Sequence, residues 1–271
     1  MELREKIESF IAEYIVKYSR DRQLQTVFGS PLVGFADAGS EYFANIKAVT
    51  NVHHAHPRDI LPDAGIVIAY YIPFTKELAE TNDNKAACTD PESDFEHCSE
   101  KWARAYIELN ALMADMNEAL ADFVRSLGYA AAVPAEATKF DPSILMSYWS
   151  QRHIAFAAGL GTFGMNNMLI SKKGCCGRYN SIVTAISTSV ITPDVPLTEE
   201  RCLFKKNGSC GVCMRRCPIH ALDPADDHKK APVFDRAACY SSCRINDAKY
   251  PGADVCGKCV TAAACAFLDL K

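Results

Sequence analysis

"RCLFKKNGSCGVCMRRCP", residues 201–218, decides how the chain divides. It closes on Cys213-x3-Cys217-Pro218, the ending of the bacterial iron–sulfur run C-x2-C-x2-C-x3-C-P. Counting back from Cys217, Cys213 and Cys210 fall in place, but the next position holds Asn207. The nearest upstream thiol is Cys202, so the run reads C-x7-C-x2-C-x3-C-P. Asn207-Gly208 is a turn dipeptide. A turn there would carry Cys202 back to the place of the missing ligand.

Working downstream, Cys239 and Cys243 lie in "AACYSSC", and Cys256, Cys259 and Cys265 lie in "CGKCVTAAAC". In two-cluster ferredoxins the last cysteine of each run ligates the other cluster. Applied here, Cys202, Cys210, Cys213 and Cys265 would hold one [4Fe–4S] cluster. Cys239, Cys256, Cys259 and Cys217 would hold a second, with Cys243 spare or in place of Cys239. Soft thiolate suits iron–sulfide. Gly208, Gly211 and Gly257, with the cations Lys205, Lys206, Arg215, Arg216 and Lys258, can offset the negative clusters; the same cations also read as a solvated surface. Zinc on paired C-x2-C is the competing metal reading. Eight or nine cysteines, the C-x3-C-P ending and the absence of paired histidines favour iron–sulfur.

Composition agrees with a metal role. Nine of the 13 cysteines lie between Cys202 and Cys265. A secreted disulfide scaffold would be short and preceded by a signal segment. The opening "MELREKIESFIAEYIVKYSR" has no apolar signal core and reads as an amphipathic helix. The longest apolar run, Ala64–Phe74, suits a buried strand and is too short to span a bilayer. The expected place is the cytoplasm, off the membrane. A net charge of −4 gives no sign of a sequence-blind grip on nucleic acid, which calls for a basic surplus.

Upstream of the cysteines the periodicities predict a first helix through Leu3, Ile7, Phe10, Ile11, Tyr14 and Tyr18. Strands are expected at Val33–Phe35 and Ile66–Tyr71, and a polar loop over Asp83–Cys98. A long helix from Trp102 to Leu127 should end at Gly128. "YAAAV", "MNNMLIS" and "YNSIVTAIST" read as strands. Asp141-Pro142 reads as a helix start, with helix by Ser150 and a stop at Gly159. "ITPDVPLTEE", residues 191–200, reads as a linker. The expected domains are therefore 1–198 and 199–271. No internal repeat is evident.

"HIAFAAGLGTFGMNNMLIS", residues 153–171, followed by the cysteine segment, resembles epoxyqueuosine reductases and the corrinoid-dependent reductive dehalogenases. The likeness rests on Ala158–Gly164, on Asn166 or Asn167, and on the strand after them. "HPRDILPDAGIVIAYYIPF", residues 56–74, resembles the same family's early strand. This resemblance implies an α/β (α+β) nitroreductase-like, corrinoid-binding core with a C-terminal ferredoxin-like two-cluster module. It implies cobalamin against Gly159, Leu160, Gly161, Gly164, Asn166 and Asn167, where glycines would let backbone approach a flat macrocycle. The plainer account is a tight helix-to-strand connection.

Two departures set this chain apart from epoxyqueuosine reductases. The acidic proton donor of that family falls on Leu145 here, with Asp141 one turn away. The helical-repeat domain that helps grip tRNA has no counterpart up to Lys271. A small-molecule substrate is expected rather than tRNA.

Arg152 matches a family arginine. His153 would serve as a proton donor, against a plainer role as a satisfied helix histidine. His53, His54 and His56 read as a polar loop. Cys175 and Cys176 read as buried or incidental thiols at a hairpin turn.

The expectation is an iron–sulfur oxidoreductase that takes electrons from an external ferredoxin- or flavodoxin-type donor. Cobalamin is the expected second cofactor, with flavin as the lesser candidate. The alternatives are an electron-carrier protein without its own substrate and a zinc-stabilised binding module.

Overall fold

The structure is a computed structural model and describes residues 2–83, 97–223 and 233–268. Helix α1 (Leu3–Asp21) buries Ile7, Ile11, Ile15 and Tyr18 at helical spacing. Strand β1 (Leu32–Asp37) leads to three one-turn helices, α2 (Glu41–Ala44), α3 (Ile46–Val49) and α4 (Pro57–Ile60). Strand β2 (Ile66–Pro73), α5 (Lys76–Asp83) and the long α6 (Glu100–Ser126) follow. Next come β3 (Ala131–Ala132), α7 (Ala135–Thr138), a small hairpin of β4 (Phe140–Asp141) and β5 (Met146–Ser147), and α8 (Gln151–Ala157). A second hairpin, β6 (Gly161–Phe163) and β7 (Leu169–Ser171), precedes β8 (Gly177–Thr184). The cysteine segment holds α9 (Leu203–Asn207), α10 (Val212–Arg215), β9 (Leu222–Asp223), β10 (Val233–Phe234), α11 (Arg236–Lys249) and α12 (Lys258–Thr261).

The main sheet is antiparallel in the order β1-β2-β8-β3. Strand β2 is apolar throughout because both its faces are covered. Side chains alternate along a strand, so Ile66, Ile68, Tyr70 and Ile72 enter the core shared with α1 and α6. Val67, Ala69 and Tyr71 enter the opposite core, with Trp149, Ile154 and Ala155 around α8. The result is a mixed α/β sandwich with helices on both faces of the sheet.

Helix α6 starts where Ser99 accepts the Trp102 N–H at 3.1 Å. It stops before Gly128, whose φ of +89° supplies the left-handed residue after the helix. A deep polar contact of this helix is fully paired: Tyr70 Oη donates to Asn117 Oδ1 at 2.6 Å, and Asn117 Nδ2 donates to Asn180 Oδ1 at 3.0 Å. Asn117→Ala should cost about 1–3 kcal/mol, because it leaves the buried Tyr70 hydroxyl with the long 3.4 Å contact to Met113 O in place of its short bond. Urea unfolding monitored by circular dichroism measures this.

Several local expectations are corrected. Asp141-Pro142 does not start a helix. Asp141 Oδ1 accepts the Ser143 N–H at 2.8 Å and the Ser143 hydroxyl at 2.6 Å, which builds the turn between β4 and β5. Helix begins only at Gln151. The expected "YAAAV" strand is just Ala131–Ala132. In "MNNMLIS" only Leu169–Ser171 is strand; Asn167, at φ +57°, turns the chain into it. Of the expected loop over Asp83–Cys98, residues 84–96 lie outside the described residues.

Packing runs across residue 198. Cys202, Cys213, Ala253, Val260 and Ala266 share one buried core with Trp102, Leu109 and Met113. The linker is docked as well: Asp194 N–H donates to Phe35 O at 2.7 Å, and Phe35 N–H donates to Asp194 Oδ2 at 2.9 Å.

Candidate functional site

The two C-G-x-C stretches fold alike. Gly211 has φ +84° and Gly257 φ +78°, and each opens a one-turn helix, α10 or α12. Only glycine takes that conformation without strain. Each turn therefore sets two cysteines on one short curl of backbone, Cys210 with Cys213 and Cys256 with Cys259. The repeated C-G-x-C spelling was a signal in the sequence for this shared geometry.

The first curl faces a cavity of about 200 Å³ whose walls include Cys202, Cys210, Cys213 and Cys265, with Arg201, Asn166 and Met165. Cys202 comes back because α9 ends at Gly208, in the left-handed conformation at φ +76°. Cys265 is delivered from the other side. Cys175 N–H donates to Cys265 O at 2.9 Å and Cys176 N–H to Ala266 O at 3.2 Å, lacing residues 265–266 to the loop before β8. Burial, then the neighbouring thiols of Cys265, Cys202 and Cys210, push the Cys213 thiol up to about 12.

The neighbours of the second curl are Cys217, Cys239 and Cys243. Burial, and after it Cys256, Cys239, Cys213 and Cys217, raise the Cys259 thiol well above its ordinary value. Cys239 and Cys243 are hydrogen-bonded to each other along one face of α11, which favours the Cys239 thiolate. Among the described residues no three His, Cys, Asp or Glu side chains close on one point as ligands of a single ion do. In the first set the cysteines instead line a space.

Three observations bear on whether these thiols suit iron–sulfur clusters. All eight proposed ligands are soft donors of the right type. Among the buried side-chain donors without a hydrogen-bond partner among the described residues are Tyr71 Oη, Trp102 Nε1, Arg201 Nε and Thr261 Oγ1. They are near the cysteines: Arg201 lines the cavity, Trp102 Nε1 abuts Gly257, Thr261 ends α12, and Tyr71 senses Cys175, Cys176 and Cys265. Cluster sulfides are acceptors of the kind such donors lack. Finally, Arg152 lies near Arg178, Arg236, Cys239 and Cys259. None of the three arginines has a carboxylate ion pair among the described residues. Uncompensated guanidiniums fit a neighbour with a formal charge of about −2. The donor set fits the group.

The cations suggested by sequence divide. Lys258 is 1% exposed, and its Nζ donates to Asn82 O at 2.9 Å, so it is no solvated surface residue. Lys205 pairs with Glu200 and Arg216 with Asp83. Lys206 and Arg215 are exposed.

The glycine turn gives a different result. A Cβ at Gly159 would lie 2.6 Å from Val195 O, one at Gly161 2.4 Å from Ile170 O, and one at Gly164 2.9 Å from Ile170 Cδ1. The glycines make room for the protein's own chain. Leu160 is buried in the core around α8. Asn166 is buried and its Nδ2 points at Cys175 Sγ and Cys259 O. Asn167 gives its carbonyl to Arg152 Nη1 at 2.5 Å. This turn does not fit cobalamin or flavin as a cradle, because the space a cradle would leave is filled.

The proposed proton donors are also poorly placed for that work. His153 Nδ1 pairs with Ser150 Oγ at 2.8 Å, and its ring packs 4.7 Å from Phe163. Burial, then the charge of Arg152, pulls its pKa down to about 4. With a folded value of about 4 the ring stays neutral across pH 6–8, whereas the unfolded chain's histidine protonates below about pH 6.5. Its contribution to stability is lost as pH falls from there through about 4. NMR titration should show no His153 protonation between pH 6 and 8. Asp141 is held ionised, its pKa lowered to about 2 by hydrogen bonds from the Ser143 and Tyr148 hydroxyls. The histidine loop has three separate structural tasks. His54 is buried and its Nε2 accepts the Ser150 N–H, His56 caps α4, and the His53 ring packs on Tyr148.

From its sequence Cys175 reads only as a buried or incidental thiol. The structure buries it completely and puts its Sγ 3.7 Å from Cys265 Sγ. Its partner lies 90 residues away, so no spacing rule could have flagged it.

No protein-family model matches the chain, and no curated protein matches it in sequence. Among solved structures it is similar to the epoxyqueuosine reductase of Streptococcus thermophilus, at 15% identity over 76% of this chain and 53% of that one, TM-score 0.42. It is similar to the enzyme of Bacillus subtilis at 17% identity, over 78% and 53%, TM-score 0.43. A catabolic reductive dehalogenase aligns at 15% identity over 72% of this chain and 24% of that one, TM-score 0.47. The chain thus spans about half the length of the epoxyqueuosine reductases it matches. No helix among the described residues is long and apolar enough to cross a membrane.

Proposed function

We propose that the chain is an iron–sulfur reductase of a small-molecule substrate, fed by an external ferredoxin- or flavodoxin-type donor. Two [4Fe–4S] clusters would be held by Cys202, Cys210, Cys213 and Cys265, and by Cys217, Cys239, Cys256 and Cys259. Bound clusters supply single-electron transfer with little rearrangement.

The observation that carries this reading is the gathering of nine thiols into two neighbouring groups, ringed by buried donors that lack acceptors. The chain's own residues hold the thiols apart and shield them. Gly211 and Gly257 shape the curls, Trp102 covers the second one, and Arg152 with Arg236 balances negative charge near Cys239. No step is assigned to a corrinoid or a flavin, because the glycine turn is filled by the chain itself.

The test is anaerobic purification followed by iron, acid-labile sulfide, cobalt and flavin analysis. About eight iron and eight sulfide per chain is the expected result. Stoichiometric zinc, or iron without sulfide, would remove the proposal. Cobalt at one per chain would show that a corrinoid binds away from the Gly159–Gly164 turn.

A further inference from the structure

Cys175 belongs to neither group of four, yet it is fully buried and hydrogen-bonded to a member of the first. Its Sγ donates toward Cys265 Sγ at 3.7 Å, within the range of a sulfur hydrogen bond. The direction is set from behind. Asn166 Nδ2 donates to Cys175 Sγ at 3.7 Å, so that sulfur already accepts a hydrogen bond and its own S–H is left to point forward. Asn166 is fixed in turn, since its Nδ2 also reaches Cys259 O at 3.3 Å and its Oδ1 accepts the Met168 N–H at 3.2 Å. The backbone enforces the alignment through Cys175 N–H to Cys265 O at 2.9 Å. That bond sets the two cysteines side by side, and the Asn166 contact holds Cys175 Sγ on the side of its partner.

We infer that Cys175 is a positioning residue that donates its S–H to the Cys265 thiolate and thereby raises the reduction potential of the cluster Cys265 helps to hold. Reduction adds negative charge to the cluster and its ligand sulfurs. A fixed donor on one of those sulfurs stabilises the reduced form more than the oxidised one. Asn166 orients the donor, and its bond to Cys259 O ties the arrangement to the second group of thiols. The inference rests on the two-cluster reading but makes a separate claim about potential.

The experiment compares the full chain with Cys175→Ala, Cys175→Ser and Cys176→Ala, all purified anaerobically, by iron count and by EPR-monitored redox titration. Cys176, equally buried, forms no side-chain hydrogen bond with Cys265 and serves as the control. In Cys175→Ala all iron should remain, and at a fixed potential the reduced-to-oxidised ratio of one cluster should fall about tenfold, which is about 59 mV for one electron. Cys175→Ser, which keeps a donor, should restore part of that shift, and Cys176→Ala should give none. An unchanged potential in Cys175→Ala overturns the inference while leaving the clusters in place. So does a loss of about four iron in Cys175→Ala, which would make Cys175 a ligand. Absence of iron from the unaltered chain overturns the two-cluster reading and this inference with it.

Discussion

Cys213→Ser is expected to halve the iron of the anaerobically purified protein, from about eight to about four per chain. Cys213 sits at the centre of the first group, buried, with Cys202, Cys210 and Cys265 as its neighbours. Serine is a hard, poorly ionising donor where soft thiolate is wanted. The remaining iron should stay on the second group, whose thiols are Cys217 after α10, Cys239 on α11, and Cys256 and Cys259 at the α12 curl. Cys256→Ser should produce the complementary half-loss, and the double variant should be iron-free. Iron and sulfide assays with EPR of the reduced protein check all three. Full iron retention in both single variants would show that these thiols are not ligands.

Trp102→Ala should cost about 3–5 kcal/mol, as large-to-small changes of buried tryptophan do. Trp102 is 2% exposed, packs 4.9 Å from the Phe74 ring, and lies against Gly257 where a Cβ would fall 2.5 Å from its Nε1. It therefore connects the sheet core to the second C-G-x-C curl. Guanidinium unfolding of the variant should show a lower midpoint at an unchanged slope. The same variant should release iron from the second cluster faster than from the first when challenged with a chelator, because only the second curl loses its backing. Equal release from both clusters would contradict that placement of Trp102.

Much of this architecture was legible because it is written locally. Strand β2 announced itself through an unbroken apolar run, and α6 through its period and the Gly128 stop. The return of Cys202 toward Cys210 and Cys213 could be read from Asn207-Gly208, and the approach of Cys265 from the ferredoxin pairing rule. What escaped depended on residues distant in sequence. Whether Gly159 and Gly161 face a ligand or the chain is decided by Val195 and Ile170. Asp141 misled because an aspartate before proline caps a helix or builds a turn with the same side-chain chemistry, and Ser143 selects the turn here. Lys258 looked like a surface cation because nothing near it in sequence reveals that Asn82 O waits for its ammonium.

The lacing of residues 265–266 to the loop before β8 has a consequence for how the protein is assembled. Three thiols of the first cavity come from one continuous stretch, but the fourth is held in place by the loop before β8, which the sheet positions. In an unfolded chain Cys202, Cys210 and Cys213 stay near one another in sequence, but nothing brings Cys265 to them or encloses them. Maturation should therefore follow sheet formation, and stripping the metal should loosen the same seam, so that chelators and denaturants act on one another's thresholds.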